Sequence, residues 1–270
     1  MRWRRLVNNI KHIYNKQMNK FKHSGAFGDL IYSLPVVKHF GGGEFYLHLN
    51  QIDWIGQYYY GSAPNPFHQG RLTAQDFEYM KSFMEAQEYI TKFTVMTPQT
   101  EISHNLDRFR PHFVNHPGNY VDIYADEFRI EDSTPLRNTP WLTVPTPKPI
   151  AGRPIVINRT ERWIPPQLGP QWATWTEMEM YKEAVFVGLP NEYKKFKQDT
   201  GWDLPYQETK TMLELAEVIA GCDNFIGNQS QALALAIGLG VDVACEYRVD
   251  LPIERNECYF PNLERIEYFN

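Results

Sequence analysis

Cysteine is scarce in this chain. Its 270 residues hold three, Cys222, Cys245 and Cys258, an odd number at spacings that suit no metal. This excludes a disulfide framework and a zinc site, and it points to a reducing compartment. No stretch approaches the ~20 consecutive apolar residues of a membrane span. The basic N-terminus is not followed by the continuous apolar run of a secretory signal. A cytoplasmic protein is the expectation. No Gly-x-Ser-x-Gly elbow is present, which argues against an α/β-hydrolase. Nucleic-acid-binding motifs are absent too, and the 16 Tyr and 16 Phe are scattered as core residues are.

Acid is missing from the first twenty residues, which hold Arg2, Arg4, Arg5, Lys11, Lys16 and Lys20. The rest of the chain therefore carries a net charge of about −11. A body that acidic is a poor nonspecific binder of nucleic acid. Trp3, Leu6, Val7, Ile10, Ile13 and Tyr14 recur at helical spacing, so residues 1–20 read as a basic amphipathic segment. Either it packs on the protein as a terminal helix, or it rests on an anionic membrane surface. The second role would make the protein peripheral at the inner face of the membrane.

What is present is an α/β rhythm, twice over. Phe21 and Lys22 lead as a strand into His23-Ser24-Gly25-Ala26-Phe27-Gly28-Asp29, a glycine turn that opens a helix over 28–40. Such a turn gathers main-chain N–H groups and a carboxylate at the carboxyl edge of a sheet, where open α/β sheets bind ligands. Strands are expected at 44–49 and 92–96, and helices at 74–87 and 120–128. Thr139 to Pro154 carries five prolines and reads as a stiff interdomain linker. Beyond it strands are expected at 155–158, 184–187, 224–227 and 241–246, with helices at 191–200, 211–220 and 230–239. Strands alternating with helices imply parallel sheets with right-handed crossovers. The expected class is α/β, two Rossmann-like doubly wound parallel-sheet domains facing a cleft. Their bounds are 21–150 and 151–250, after the 1–20 segment and before a C-terminal tail at 251–270.

Several residues stand where ligands bind in such folds. Gly25 and Gly28 permit backbone approach to a ligand or simply make the turn. No Lys-Ser/Thr follows them, so they are not a P-loop. His23 and Ser24 end the first strand, where they could hold a phosphate or an acceptor, or hydrogen-bond structurally. Asn228-Gln229-Ser230 would turn N–H groups toward an anion or form an ordinary helix cap. Arg159 and Arg162 follow a strand of the second half, a place that suits diphosphate recognition; a solvated loop is the other reading. Glu246 ends the next strand and would grip a ribose or sugar hydroxyl, or pair with Arg248.

Gly28-Asp29-Leu30-Ile31-Tyr32-Ser33-Leu34-Pro35 resembles the opening motif of glycosyltransferase family 9, the ADP-heptose:lipopolysaccharide heptosyltransferase-like proteins. Glu183–Gly188, Leu215–Asn228 and Ser230–Gly240 resemble that family's later motifs, in the same order. The resemblance spans roughly residues 20–250 and implies a GT-B architecture. It implies a transferase moving a sugar from a nucleotide-diphosphate donor to an acceptor hydroxyl, with inversion. It also implies Asp29 as the base that takes the acceptor proton, although a first-turn acid that favours the helix dipole is the alternative. Arg159, Arg162, Asn228, Gln229, Ser230 and Glu246 would then face the donor, and His23, Ser24, Gly25 and Gly28 the acceptor side.

No cofactor is expected. Asp-x-Asp, the metal signature of the other large glycosyltransferase fold, is absent. The chain departs from the family at Gln229-Ser230-Gln231 and Ala234, where Asp-Ser/Thr-Gly and a His are usual. The fold carries over; the usual heptose donor does not. The acceptor stays open among glycan, modified nucleobase, protein and small molecule. A non-catalytic nucleotide-sugar-binding relic, or an epimerase or hydrolase of the same fold, are the alternative functions.

Overall fold

The computed structural model describes residues 18–50, 72–110, 118–161, 168–247, 253 and 258–270. Most of the basic N-terminal segment, Arg162 and Arg248 lie outside them. Two parallel sheets organise the chain.

The first sheet is built from β1 (Asn19–His23), β2 (Gly43–Leu47), β3 (Ile90–Val95) and β4 (His104–Asn105), in the order β3-β2-β1-β4. Helices α1 (Phe27–His39), α2 (Ala74–Glu85), α3 (Tyr120–Glu127) and the short α4 (Thr134–Asn138) belong to this half. Thr73 starts α2 with a reciprocal capping box to Asp76, and Asn119 caps α3 at Asp122 N.

The second sheet contains β5 (Ile155–Asn158), β6 (Ala184–Val187), β7 (Tyr206–Gln207), β8 (Asn224–Asn228), β9 (Asp242–Glu246) and β10 (Ile266–Phe269). Its order is β10-β9-β8-β5-β6-β7. Helices α5 (Pro170–Glu177) and α6 (Pro190–Thr200) supply Trp172 and Phe196 to one face, against Ile155, Ile157 and Phe186. Helices α7 (Met212–Ala220) and α8 (Gln231–Leu239) cover the other face, against Val156, Val185 and Phe225. The alternation along β5 thus feeds two different cores, as a sheet wound on both sides requires.

The expected strands and helices are present within a few residues. The short elements β4, β7, α4, α5 and β10 were not foreseen. In β10, Ile266-Glu-Tyr-Phe269 is only four residues long and follows a stretch without pattern, so its pairing with β9 is a tertiary fact.

The two halves share one hydrophobic core. Residues 232–238 of α8 are all buried, because this helix lies between its own sheet and the helices of the first half. A helix that is apolar all round belongs inside. The proline-rich segment, expected as a stiff interdomain linker, forms none of the named helices or strands and is bound to both halves. The main-chain N–H groups of Trp141 and Leu142 both donate to Gly238 O, at 2.9 and 3.0 Å. A Cβ at Gly238 would stand 2.5 Å from Leu142, so only glycine lets the segment lie this close to α8. Toward the first half, Tyr89 donates to Trp141 O at 2.9 Å, and the Gln87 side chain pairs with both main-chain groups of Thr143.

Trp141 also repairs a defect in α1. Pro35 lies inside that helix and has no N–H to give the carbonyl four residues back, Ile31 O. The indole of Trp141, 1% exposed, donates to Ile31 O at 3.2 Å. Trp141→Phe should therefore cost about 1–3 kcal/mol for the stranded carbonyl, in addition to lost packing. Pro35→Ala restores a main-chain donor for Ile31 O. In that background the cost of Trp141→Phe, measured by urea unfolding, should fall by about 1 kcal/mol or more. Equal costs in both backgrounds would exclude this repair.

Candidate functional site

Strand order locates the site. In the first sheet the chain steps from β1 to β2 to β3 on one side and to β4 on the other. In the second it steps from β5 to β6 to β7 on one side and from β8 to β9 to β10 on the other. The carboxyl ends of β1 and β4, and those of β5 and β8, are therefore topological switch points, where open α/β sheets leave a crevice for ligands. Asp29 follows the first pair. Arg159 and the Asn228-Gln229-Ser230 turn follow the second.

At the first switch point the charges are balanced inside the protein. Arg110, beyond β4, places Nη1 3.3 Å from Asp29 Oδ2 and Nη2 3.6 Å from Asp107 Oδ1. Asp29 and Arg110 are both buried, and Lys22 Nζ lies 2.6 Å from Asp107 Oδ2. The Asp107 carboxylate also accepts from Ser24 N at 3.0 Å. Burial works against the Asp107 charge, but His23, Lys22 and Arg110 outweigh it and hold the carboxyl at about 2.

Gly25 has a use the sequence did not disclose. A Cβ there would lie 1.5 Å from Arg110 Nη2, so the glycine makes room for this guanidinium. A Cβ at Gly28 would meet nothing within 4 Å among the described residues.

His23, considered for a ligand-side or a structural role, is buried with protein partners on both ring nitrogens. Its Nδ1 accepts from Gly25 N at 3.0 Å, which leaves the proton on Nε2. Nε2 lies 2.8 Å from the Tyr124 hydroxyl, and that hydroxyl donates to Asp29 O at 3.0 Å. The relay ties the end of β1 to the first turn of α1. Burial is the largest cause of a low His23 pKa, and the Arg110 and Lys22 charges add to it. Against the opposing pull of Asp107, the value falls from 6.5 to about 3.

At the second switch point the groups expected on a ligand are largely turned to one another. Asn228 Oδ1 accepts from Thr160 N at 2.9 Å, and Asn228 Nδ2 donates to Thr160 O at 3.2 Å, so β8 and β5 are stitched together. Ser230 caps α8, its Oγ accepting from Leu233 N at 3.2 Å and donating to Asn158 Oδ1 at 3.0 Å. Gln229 stands between them, partly exposed. Arg159 was expected on a diphosphate, but its guanidinium is engaged. Nε donates to Glu246 Oε2 at 2.6 Å, Nη2 to Glu246 Oε1 at 3.2 Å, and Nη1 to Asp199 Oδ2 at 3.0 Å. Glu246, expected on a sugar hydroxyl, also accepts from Trp172 Nε1 at 2.9 Å. Both side chains are buried, since a charge taken from water needs such partners.

A short bridge joins the two edges. Phe27, the first residue of α1, packs on Tyr79 of α2 with ring centroids 5.4 Å apart. Gln231, the first residue of α8, donates from Nε2 to the Tyr79 hydroxyl at 2.9 Å. The N-termini of the two helices that follow central strands are thereby brought to one place, and both present the positive end of a helix dipole.

This architecture recurs among solved structures. A glycosyl transferase family 9 protein of Veillonella parvula superposes with a TM-score of 0.59 over 94% of this chain and 86% of that one, at 11% identity. The fold is that of the family 9 glycosyltransferases. The iron-containing dodecameric glycosyltransferase TibC of enterotoxigenic E. coli matches this GT-B fold with a TM-score of 0.52 at 14% identity, over 91% of this chain and 62% of TibC. A second TibC structure, in complex with ADP-D-beta-D-heptose, gives a TM-score of 0.50 at 14% identity, over 90% and 61% of the two chains. No family model and no curated protein matches the sequence.

Among the described residues no three His, Cys, Asp or Glu side chains are grouped to hold a metal, and no helix is long and apolar enough to cross a membrane. Ala234, where the sequence resemblance would place a His, is fully buried in the shared core. Gln231, where the resemblance would place a glycine, is the residue that reaches Tyr79.

Arg110, Asp107 and Tyr124 are the residues that sequence reasoning missed. Arg110 lies 81 positions from Asp29 and Tyr124 lies 95, so no local pattern links them. The one available signal was the run Asp107-Arg108-Phe109-Arg110, charge concentrated just past a short strand.

Two stability outcomes follow from these burials. His23 binds its proton far less readily folded than unfolded, so the unfolded state is favoured as pH falls from about 6.5 toward 3. Its contribution is complete above that window and declines by about 1.4 kcal/mol per pH unit within it. His23→Asn should remove about one proton from the pH dependence of urea unfolding between pH 6 and 4; an unchanged slope would refute the neutral assignment. Arg159→Ala should cost about 3–5 kcal/mol, because it leaves Glu246 charged, buried and short of its main partner. Loss of less than about 1 kcal/mol would show the pair to be dispensable for folding.

Proposed function

We propose that this protein is a glycosyltransferase that moves a sugar from a nucleoside-diphosphate-linked donor to an acceptor hydroxyl, with inversion and without a metal. The observation that carries the reading is the meeting of two switch-point edges at the Phe27–Tyr79–Gln231 bridge, with Asp29 on one side of it. The comparison proteins with this fold are glycosyltransferases, and one is described with a nucleotide-linked heptose bound.

In this reading Asp29 takes the acceptor proton as the hydroxyl attacks the anomeric carbon. Arg110 balances its charge and fixes the carboxylate through the contact at 3.3 Å, while Tyr124 holds its main chain. The acceptor approaches past Gly28. The departing diphosphate lies at the start of α8, where Gln229 and the main-chain N–H groups of the first turn face developing charge. Arg162 stands close in sequence to this edge and is the arginine left for the phosphates once Arg159 is paired. Arg159 and Glu246 then act from beneath, by fixing the ends of β5 and β9.

A second reading is favoured by one observation. Gln229, Gln231 and Ala234 replace the family's acid, glycine and histidine, and Ala234 belongs to the core. A binding protein that retains nucleotide sugars without turning them over would tolerate those changes.

The test is release of nucleoside diphosphate from a panel of nucleotide sugars, with acceptor mixtures and excess EDTA, alongside calorimetry for binding. The wild type should turn over in EDTA. Asp29→Asn should lose about 100-fold or more in rate while donor affinity changes little. Saturable binding with no release from any donor would favour the binding protein, and near-normal turnover by Asp29→Asn would remove Asp29 from the base role.

A further inference from the structure

Two of the three cysteines meet inside the protein. Cys245 lies on β9 and Cys258 follows it after 12 residues; both are buried, with their Sγ atoms 3.8 Å apart. The meeting is built by one tyrosine. Tyr268 on β10 stands opposite Cys245 in the parallel register. Its hydroxyl donates to Cys258 O at 3.0 Å and accepts from Phe260 N at 2.8 Å. Phe260 in turn packs on Tyr32 of α1, with ring centroids 5.9 Å apart. Both cysteine backbones are thus positioned from the same residue, and Phe260 seats this corner against the first half.

Cys222 is excluded by geometry. It precedes β8, whereas Cys245 pairs with Gly227 near the far end of that strand. Five residues of extended chain separate those levels by roughly 16 Å, far beyond disulfide reach.

We propose that Cys245 and Cys258 are an oxidation site that closes to an intramolecular disulfide when the protein meets a two-electron thiol oxidant of the peroxide class. One thiolate attacks a peroxide oxygen, the O–O bond breaks, and a sulfenic acid forms as the first water leaves. The second sulfur then displaces that oxygen as the second water. In sum two S–H bonds and one O–O bond break, one S–S bond forms, and two electrons and two protons pass to the peroxide. The sulfurs must approach from 3.8 Å to about 2.05 Å, within reach of small side-chain rotations.

Burial controls the rate. The hydrogen bond with Cys258, and then burial, push the Cys245 thiol well above its ordinary range, so the native pair reacts slowly and through local opening. A reducing compartment keeps such a pair as thiols until oxidant rises. The closed bond would restrain the chain between β9 and Cys258, immediately past Glu246, whatever ligand that edge binds.

The experiment uses the full chain, reduced, freed of reductant and exposed to hydrogen peroxide. The protein is then unfolded and alkylated with N-ethylmaleimide for intact-mass and peptide analysis. One alkylation per chain rather than three is expected, with a peptide linking Cys245 to Cys258. The unfolding temperature should rise by about 5 °C and return on reduction with dithiothreitol. Cys222→Ser should keep this response and Cys258→Ser should lose it. Three alkylated thiols after oxidation, a link to Cys222, or sulfinic acid in place of the linked peptide would each overturn the proposal. The wild-type masses decide the matter even if a variant fails to fold.

Discussion

Burial of α8 is the constraint on which the rest of the structure depends. Its residues 232–238 have no solvent-facing side, so they cannot be satisfied by one sheet alone. They require the helices of the first half as their second wall, and that requirement joins two α/β halves through one core. Because the joint is apolar and continuous, the start of α8 is held at a fixed distance from the start of α1. The two switch-point edges are joined at the Phe27–Tyr79–Gln231 contact as a consequence. The linker reinforces the joint rather than loosening it, through Trp141 and Leu142 on Gly238 and through the indole on Ile31 O.

The two edges are prepared differently. At the first, the buried Asp29 carboxylate is paired with Arg110, a guanidinium that Gly25 makes room for. At the second, the strongest charges are paired with one another beneath the surface, in the Arg159, Glu246 and Asp199 group. One guanidinium faces two carboxylates there, and Lys195 completes the balance on the Asp199 side, so among the described residues the turn after β8 is left with main-chain groups and neutral amides. The proposed transfer would use this difference, with one side accepting a proton and the other releasing a charged leaving group without holding it too tightly.

Much of the fold was legible in the amino-acid sequence, for a physical reason. Strands such as Ile155–Asn158 and helices such as Met212–Ala220 announce themselves by local periodicity and by caps like Thr211. The places of Asp29 and of the Asn228-Gln229-Ser230 turn were legible because a strand, a turn and a helix start are contiguous. The roles of Arg159 and Glu246 were harder to read. Their partnership joins residues 87 positions apart across an intervening strand, and Arg248 was the only neighbour that the sequence offered.

The sequence by itself determined the α/β class, the positions of the central strands and the placing of an acid at the first helix start. Those are local properties, set by side-chain alternation, helical spacing and turn chemistry. Only the tertiary structure decided that Gly25 admits an arginine, that burial lowers the His23 pKa, and that Trp141 supplies the donor Pro35 removes. Each depends on which strands become neighbours and which groups lose water together, and burial then converts modest charges and single hydrogen bonds into decisive ones.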